Sequence, residues 1–443
     1  MRDIRFWQRS LEQKKYKRRR KRKKHKATPR YEYSFDSAAL VQRFYTKFIQ
    51  QLSKAGYIYE HYKKEVVSVP KRFSFKESYD ECLVFFKELI SSYLYLENII
   101  ILDFRKCKKS SIACFSVLEV ILENLYDIRD SYNNHRFSPC IRNVKVLQSE
   151  KDVKTNKYLH SFLHVSLPEK QNDGSYYMKL PLQSGRLRSY KESTKGMVTR
   201  NVVNFVNEST HVAGAILNPK GRNALEGLLT EVLGNAEDHS SKNNFWFVDG
   251  ISFAENQNNV DVVDLNLCIF NLGNSMYEGF EETKERNAEN YAKCDKLFRK
   301  HEKLFTPKVK FERESLFTLY MLNEGISRLK YKDSSRGNGT MRFLESFITL
   351  GSFGGIDPKF KCQLNVISGH TILTCDNDIR YFEEDNFKKL SLNKEKNMGL
   401  LPDADYLTYN NENFPGTILE CHIYLNRNYF FKILNKNEDN QSN

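Results

Sequence analysis

The chain has 443 residues and a formal net charge of +15, and 40% of its residues are hydrophobic and 13% aromatic. This composition is sufficient for large buried cores and excludes a chain that is disordered throughout. No apolar run approaches the roughly 18 residues of a membrane span, and no apolar segment follows the charged N-terminus. We therefore expect a cytoplasmic protein with neither a membrane anchor nor a secretory signal.

Positive charge is concentrated at the N-terminus. Residues 1–26 contain 14 Lys and Arg residues and two acidic residues, which is +12 of the net charge of +15 and leaves +3 for the remaining chain. Because a block of like charges repels itself and cannot bury a core, we predict a basic disordered leader over residues 1–30. Its side chains can bind the phosphates of nucleic acid; an anionic membrane surface, or no specific partner, are the alternatives. The candidate nucleic-acid-binding residues are Arg18, Arg19, Arg20, Lys21, Arg22, Lys23 and Lys24.

Helical and strand patterns alternate over residues 31–170, which we predict to be an N-terminal α/β domain. Helices are predicted within residues 37–52, 77–96, 110–128 and 155–163, and strands within residues 98–104 and 143–148. This alternation implies a small parallel or mixed sheet.

Asp103 follows a predicted strand and precedes a turn and a helix. Open α/β sheets place functional groups at the carboxyl ends of strands, so Asp103 is a candidate functional residue, and an ordinary turn residue is the alternative. The order of strand, Asp, turn and helix over residues 90–165 resembles STAS-type regulatory domains, which accompany some bacterial ATP-binding switch proteins. The resemblance implies a smaller, STAS-like α/β domain in this part of the chain.

The nine cysteines are dispersed along the chain, without a CxxC pair or a Cys/His cluster at zinc spacing. Several of them lie in apolar runs. We therefore expect reduced, buried thiols rather than disulfides or metal ligands.

The stretch LLTEVLGNAEDHS, residues 228–240, is predicted to belong to an amphipathic helix. Asn218 and Pro219 suit the N-cap and the first helical position. At roughly 100° per residue, an apolar stripe adjoins a polar one, so the polar stripe lies at the rim of the core, where a pocket wall would be. A solvated face is the alternative. The apolar stripe contains Leu225, Leu228, Leu229, Val232 and Ala236, and the polar stripe contains Glu231, Asn235, Asp238 and His239.

Glu231 and Asn235 are one helical turn apart and point the same way. An amide oxygen is a hard ligand that suits Mg²⁺. A carboxylate one turn earlier can hold a water molecule of the metal shell or polarise an attacking one.

Three further motifs follow in chain order. A predicted strand ends at Asn271 and is followed by Gly273 and Ser275. The stretch RGNGT, residues 336–340, opens a predicted helix, and glycines in that position let backbone N–H groups approach phosphate oxygens. Gly416–Thr417 opens the last predicted strand.

These motifs resemble those of the GHKL superfamily of ATP-binding proteins, which includes DNA gyrase B, bacterial histidine kinases and MutL. The resemblance covers residues 195–430. Its N-box is matched by Glu231, Asn235 and Asp238, its first glycine box by Asn271–Ser275, its second by Gly337 and Gly339, and its GT pair by Gly416–Thr417. The resemblance implies an α/β (α+β) fold of Bergerat type, a sandwich in which helices cover one face of a mixed sheet, with ATP and Mg²⁺ as ligands.

The resemblance also implies roles at the metal and phosphate end of the site. Asn235 would coordinate Mg²⁺, and Glu231 would activate water or support the metal through water. Asp238 would orient neighbouring side chains. The residues that would close over the phosphates are Gly337, Asn338, Gly339 and Thr340.

At the base end, Asn271 would hydrogen-bond the adenine amino group and Gly273 would let the adenine pack against backbone. Ser275 ends this glycine box, and Thr417 would contact the adenine end. An ATP lid would span about residues 276–336 and carry a highly charged helical insert, and a polar tail would follow at residues 431–443.

The chain departs from the family pattern at three positions. Asn271 stands in place of the usual Asp, so its amide oxygen can accept from the adenine amine without charge while its NH₂ group must point elsewhere. Ser275 replaces a Gly and stiffens the lid hinge, and Thr340 replaces the usual Leu. These departures bear on nucleotide affinity.

The function expected from the resemblance is that of a stand-alone ATP-binding protein. His211 lacks the acidic neighbour of a phosphoacceptor His, and the tail leaves no room for a transducer domain of the gyrase or MutL type. We predict an Mg-dependent ATPase or ATP-gated switch that acts on a protein or nucleic-acid partner. An anti-sigma-like or histidine-kinase-like protein kinase and a non-catalytic interaction module are the alternatives. The sequence leaves the oligomeric state open, and a homodimer is one candidate.

Overall fold

The computed structural model describes residues 65–95, 100–133, 144–150, 152–163, 176–186, 193–214, 216–239, 245–257, 260–323, 362–376, 382–384 and 387–426. The predicted leader, the helix predicted within residues 37–52, the second glycine box at Gly337–Thr340 and the polar tail lie outside the described residues. The described residues all belong to one compact unit of the chain, residues 44–443.

Helices and strands make up most of the described chain. The helices are α1 (Phe75–Tyr95), α2 (Ile112–Asn133), α3 (Val153–Leu163), α4 (Ser193–Val212), α5 (Pro219–His239), α6 (Met276–Glu282), α7 (Ala288–Glu302) and α8 (Arg313–Leu322). The strands are β1 (Val66–Ser68), β2 (Arg72–Phe73), β3 (Ile100–Asp103), β4 (Lys109–Ser110), β5 (Val144–Leu147), β6 (Tyr176–Arg186), β7 (Phe245–Gln257), β8 (Val260–Leu272), β9 (Gln363–Asp376), β10 (Phe382–Glu384), β11 (Phe387–Lys389) and β12 (Leu407–Asn426). The order confirms a protein of mixed α and β structure.

Small parallel sheets form in the first part of the described chain. β1, β3 and β5 form a three-stranded parallel sheet in which Val67, Leu102 and Val146 lie side by side. β2 and β4 form a separate parallel pair. The chain passes from β1 to β3 through α1 and from β3 to β5 through α2, because parallel strands require long crossover connections. The prediction of a small parallel or mixed sheet between helices is confirmed.

A five-stranded sheet in the order β6-β7-β8-β12-β9 dominates the second part of the described chain. Each of its four strand pairs is antiparallel. The mixed sheet implied by the family resemblance is therefore wrong for this sheet. The reason is its connectivity: β7 and β8 are consecutive strands, β9 follows the helical segment α6–α8, and β12 then enters between β8 and β9.

Helices α4 to α8 pack on one face of this sheet. The predicted apolar stripe of α5 is confirmed, because four of its members are buried and the fifth, Leu225, packs against the same core. Burying each large apolar side chain stabilises the fold by roughly 1.5–3 kcal/mol. The polar edge of the helix lies at the rim of this core, since Glu231 and Asn235 are half-buried.

Helices α1 to α3 pack on the opposite face of the same sheet. Tyr158 of α3 lies edge-on to Phe253 of β7 with ring centroids 5.5 Å apart, and Phe75 of α1 contacts Phe414 of β12 at 5.8 Å. These residues belong to one hydrophobic core that joins both parts of the chain. Helices therefore cover both faces of the sheet, and the prediction of a sheet covered on one face is wrong.

Buried polar contacts connect α2 and α3 to this second face. Glu420 of β12 accepts a hydrogen bond from the backbone N–H of Ala113 at the start of α2, with an O···N distance of 3.0 Å. A carboxylate is stabilised there by the unpaired N–H groups of a helix N-terminus. Asp264 of β8 pairs with Lys154 of α3 and with His422, each at 2.7 Å, and this pairing holds the pKa of Asp264 below its usual value against the opposing effect of burial.

The cysteines of the described residues are all buried free thiols, as predicted. Burial raises the pKa of the Cys268 and Cys421 thiols well above the ordinary value. Across the described ranges, no helix combines the length and apolar character needed to cross a membrane.

Candidate functional site

The helix that carries the predicted N-box begins as its sequence indicates. Asn218 accepts a hydrogen bond from the backbone N–H of Gly221 at 2.7 Å, which makes it the N-cap, and Pro219 is the first helical residue. From that start α5 runs to His239, so Glu231, Asn235 and Asp238 all lie in its last three turns. The side chain of Asp238 lies outside the described part of the structure.

A cavity lies between α5 and the strands β8, β9 and β12. It contains about 550 Å³ of empty space, a volume that includes open solvent. Its lining is formed by Val232, Asn235, Ala236, Ile269, Phe270, Asn271, Met276, Leu322, Val366, Thr417 and Leu419. Three predicted site residues from separate segments, Asn235, Asn271 and Thr417, thus meet at one cavity whose other lining residues are apolar.

Strand register explains why Asn271 and Thr417 meet. They lie directly opposite each other in the antiparallel pair β8–β12, so their side chains share a face of the sheet, with Cβ atoms about 5 Å apart. Asn271 is only 3% exposed, and its Nδ2 atom is buried without a hydrogen-bond partner. A buried amide without a partner costs about 1–3 kcal/mol, so a ligand that supplied a partner would recover that energy.

Two glycines lie next to this strand pairing. Gly273 directly follows β8, whereas Gly416 lies within β12, which begins at Leu407, so the prediction that Gly416–Thr417 opens the last strand is wrong. Gly273 has φ +149° and Gly416 has φ +142°, a region that only glycine adopts without strain. A side chain at Gly416 would overlap the backbone carbonyl oxygen of Asn271, and Gly273 donates its N–H to Pro415 at 3.1 Å. Gly416 is therefore required by the close approach of the two strands behind Asn271, and Gly273 by its backbone conformation.

Ser275 has a structural partner that its sequence signature could have indicated. It is the N-cap of α6, with its hydroxyl accepting from the backbone N–H of Glu278 at 3.1 Å, and the Glu278 side chain accepts in return from the Ser275 N–H at 2.7 Å. This reciprocal pair is the capping box of an S-x-x-E sequence. Ser275 is not part of the cavity lining, whereas its neighbour Met276 is.

The hydroxyl of Ser368, which the sequence reasoning missed, connects the cavity to the start of α6. Its oxygen accepts from the backbone N–H of Met276 at 2.8 Å and lies 2.9 Å from the hydroxyl of Thr417. Val366, on the same strand as Ser368, and Leu322 of α8 complete the apolar lining. No sequence motif marks these residues, because their position depends on the pairing of β9 with β12.

The described part of the predicted lid, residues 276–323, forms the helices α6, α7 and α8. The charged insert is helical as predicted, since it forms α7. Arg313 of α8 joins this group by hydrogen bonds to Asp295 at 2.7 Å and Tyr291 at 3.2 Å, and its guanidinium lies 4.4 Å from the Phe317 ring centre. The hydrogen bond from Arg313 lowers the pKa of Asp295.

His301 is buried where α7 meets α8 and the loop at Met398. Its Nε2 lies 2.9 Å from the Met398 carbonyl oxygen, which can only accept, so Nε2 carries the proton and Nδ1 accepts from the Tyr320 hydroxyl at 2.6 Å. Burial lowers the pKa of His301 and favours this neutral form.

Glu231 and Asp103 lie away from the cavity lining. Glu231 is half-buried and makes no hydrogen bond or ion pair with another described residue. The Asp103 carboxylate accepts from Arg105 through Nε at 2.9 Å and Nη2 at 2.8 Å, and these bonds lower the pKa of Asp103. This pairing matches the alternative reading of Asp103 as a turn residue.

Within the described ranges, no group of three or more His, Cys, Asp or Glu residues is arranged to hold a metal ion. Mg²⁺ does not require such a cluster, because it commonly binds one or two protein oxygens and completes its shell with phosphate and water.

Comparison with known proteins does not assign the chain to a family. No protein-family model matches it, and neither a curated protein nor a solved structure is significantly similar to it.

Proposed function

We propose that the cavity binds the base of a purine nucleotide and that the protein is an ATP-binding switch or Mg-dependent ATPase of the GHKL type. The observation that carries the proposal is the buried amide of Asn271, which has an unpaired donor and lies at a cavity shared with Asn235 and Thr417. A largely apolar cavity with a few polar groups suits a flat heteroaromatic ring.

The donor set on α5 is compatible with Mg²⁺ bound to nucleotide phosphates. Asn235 offers a neutral amide oxygen at the cavity, and the carboxylate of Glu231 lies one turn away without a partner among the described residues. In this proposal Asn235 would hold the ion, which would supply positive charge to the phosphates, and Glu231 would orient and deprotonate a water molecule.

The proposed partners are a protein and, through the basic leader, a nucleic acid. The alternatives to an ATPase are an anti-sigma-like or histidine-kinase-like protein kinase and a non-catalytic interaction module. His211 is exposed at the end of α4, so a phosphoacceptor role there can be tested directly. Incubation with ATP labelled on the γ-phosphate separates these functions: an ATPase releases phosphate, a kinase labels a protein, and a non-catalytic module does neither.

Two substitutions on α5 test the site assignment. Glu231→Ala should bind ATP as the wild type does and lose hydrolysis by at least about 100-fold, the usual contribution of a general base. Asn235→Ala should lose Mg²⁺-dependent ATP binding, measured by calorimetry with and without Mg²⁺.

The matched control is Glu226→Ala, which removes an exposed carboxylate from the same helix and should change neither quantity. Unchanged ATP hydrolysis in both site variants would refute the assignment of Glu231 and Asn235.

A further inference from the structure

Asn271 can reverse its hydrogen-bonding role toward the cavity. Its amide contains one acceptor and one donor group, and no hydrogen bond to another described residue holds the amide in one orientation. A half-turn about χ2 exchanges the two groups and breaks no hydrogen bond among the described residues. The side chain can therefore present either its oxygen or its NH₂ group to a ligand.

The hydroxyl of Thr417 can likewise either donate or accept a hydrogen bond toward the cavity. Its hydroxyl lies 2.9 Å from that of Ser368, and either atom can be the donor. When Thr417 donates, Ser368 can donate onward to the Gly416 carbonyl oxygen at 3.4 Å, and Thr417 can accept from a ligand. When Ser368 donates to Thr417, the Thr417 hydroxyl can donate to a ligand. In both arrangements the Ser368 oxygen still accepts from the Met276 N–H.

The remaining cavity lining does not select a hydrogen-bonding pattern. Apart from Asn235, it consists of apolar residues of α5, α6, α8 and the three strands, which contact the faces of a ring whatever its edge carries. Discrimination between purines therefore depends on the two reversible groups.

We infer that the site binds purine nucleotides with either an amino or a keto group at the 6-position, an inference that rests on the proposed function. Adenine presents a donor at N6 beside an acceptor at N1, whereas hypoxanthine and guanine present an acceptor at O6 beside a donor at N1. An amide that can turn over matches both edges with one donor and one acceptor. A carboxylate, the usual residue in the resembling family, can only accept.

Binding of ATP, inosine triphosphate and UTP to the full chain tests the inference, because the first two nucleotides differ only at the 6-position and the N1 proton. We expect dissociation constants for ATP and inosine triphosphate within about fivefold, since one hydrogen-bond pair replaces another. UTP should bind at least about tenfold more weakly, because a single ring leaves much of the apolar lining without contact.

The variant Asn271→Leu, of similar size, should weaken the binding of ATP and of inosine triphosphate by the same factor, about tenfold. Asn204→Ala removes an exposed Asn from α4 and should change none of the three. A selective loss of ATP binding in Asn271→Leu would mean that the amide reads only the 6-amino group, which overturns the inference.

The wild-type measurement alone also distinguishes a failure of the proposed function from a failure of the inference. If no nucleotide binds, the proposed function is wrong and the inference falls with it. If ATP binds more than about 100-fold tighter than inosine triphosphate, or if UTP binds as tightly as ATP, the inference is wrong while nucleotide binding stands.

Discussion

Asn271 combines two properties that rarely occur together, near-complete burial and an amide nitrogen without a partner. A carboxylate at the same position would cost more in the empty cavity, because an ionised group loses far more solvation on burial than an amide does. An Asn at this position therefore lowers the cost of the ligand-free state. Under the proposed function, charge is then no longer a means of selecting the base.

Gly416 offers the sharpest test of the strand arrangement behind Asn271. Gly416→Ala should lower the free energy of unfolding by about 2 kcal/mol or more, because it adds overlap with the Asn271 carbonyl oxygen to a strained φ. Urea unfolding measures the change.

The control is Gly227→Ala on α5, where nothing lies within 4 Å of the added methyl group. That variant should be about 0.5–1 kcal/mol more stable than the wild type, because Ala is the better helix former. Equal effects of the two substitutions would contradict the close approach at Gly416.

At the scale of single elements, local sequence signals predicted much of what the structure contains. The N-cap at Asn218, the apolar stripe of α5 and the helical charged insert are confirmed, because each depends on residues within a few turns. The S-x-x-E signature at Ser275 predicts the start of α6, whereas the family resemblance assigns Ser275 to a glycine box. Ser368 could not be predicted, since only long-range strand pairing brings it to Thr417.

The α7–α8 pair carries a pH dependence through His301, which is 1% exposed and has a lowered pKa. Below the ordinary pKa of about 6.5, the unfolded chain binds a proton that the folded protein resists. The contribution of His301 to the free energy of unfolding should therefore be constant above about pH 7.5 and should fall as the pH drops toward 5.

Urea unfolding of the wild type and His301→Gln between pH 5 and 8 measures this contribution. Between pH 7 and pH 5, the free energy of unfolding should fall less in the variant than in the wild type, whatever the stability of the variant at pH 8. Parallel pH profiles for the two proteins would show that His301 does not contribute.

At the scale of the whole molecule, the sequence predicted the class of fold but not that helices cover both faces of the large sheet. The strand predicted before Asn271 is a buried apolar run, and such a run does not state which elements cover it. The contact between Tyr158 and Phe253 spans nearly a hundred residues of sequence, and no local pattern encodes it. The antiparallel order is a similar case, because β12 pairs with β8 although the whole segment from α6 to β11 separates them in sequence.

The shared core predicts one cooperative unfolding transition for the described unit. Trp246 lies on the α5 side of the sheet and is fully buried, so its fluorescence in a Trp7→Phe background reports that side. Phe253→Ala, on the opposite side, should lower stability by about 3–5 kcal/mol and shift the Trp246 transition together with the far-ultraviolet circular dichroism. Separate midpoints for the two signals would contradict the shared core.

The burial of β8 on both faces has a consequence for how gene segments can be exchanged between proteins. Asn271 faces the cavity, and its neighbour Phe270, which also borders the cavity, belongs to the core formed with α1 to α3. A gene segment encoding residues 195–430 alone would lack β6 and would leave bare the face of the sheet that α1 to α3 cover, which favours aggregation. We therefore expect recombination to move the cavity together with β6 and α1 to α3, and we expect these segments to change in step over evolution.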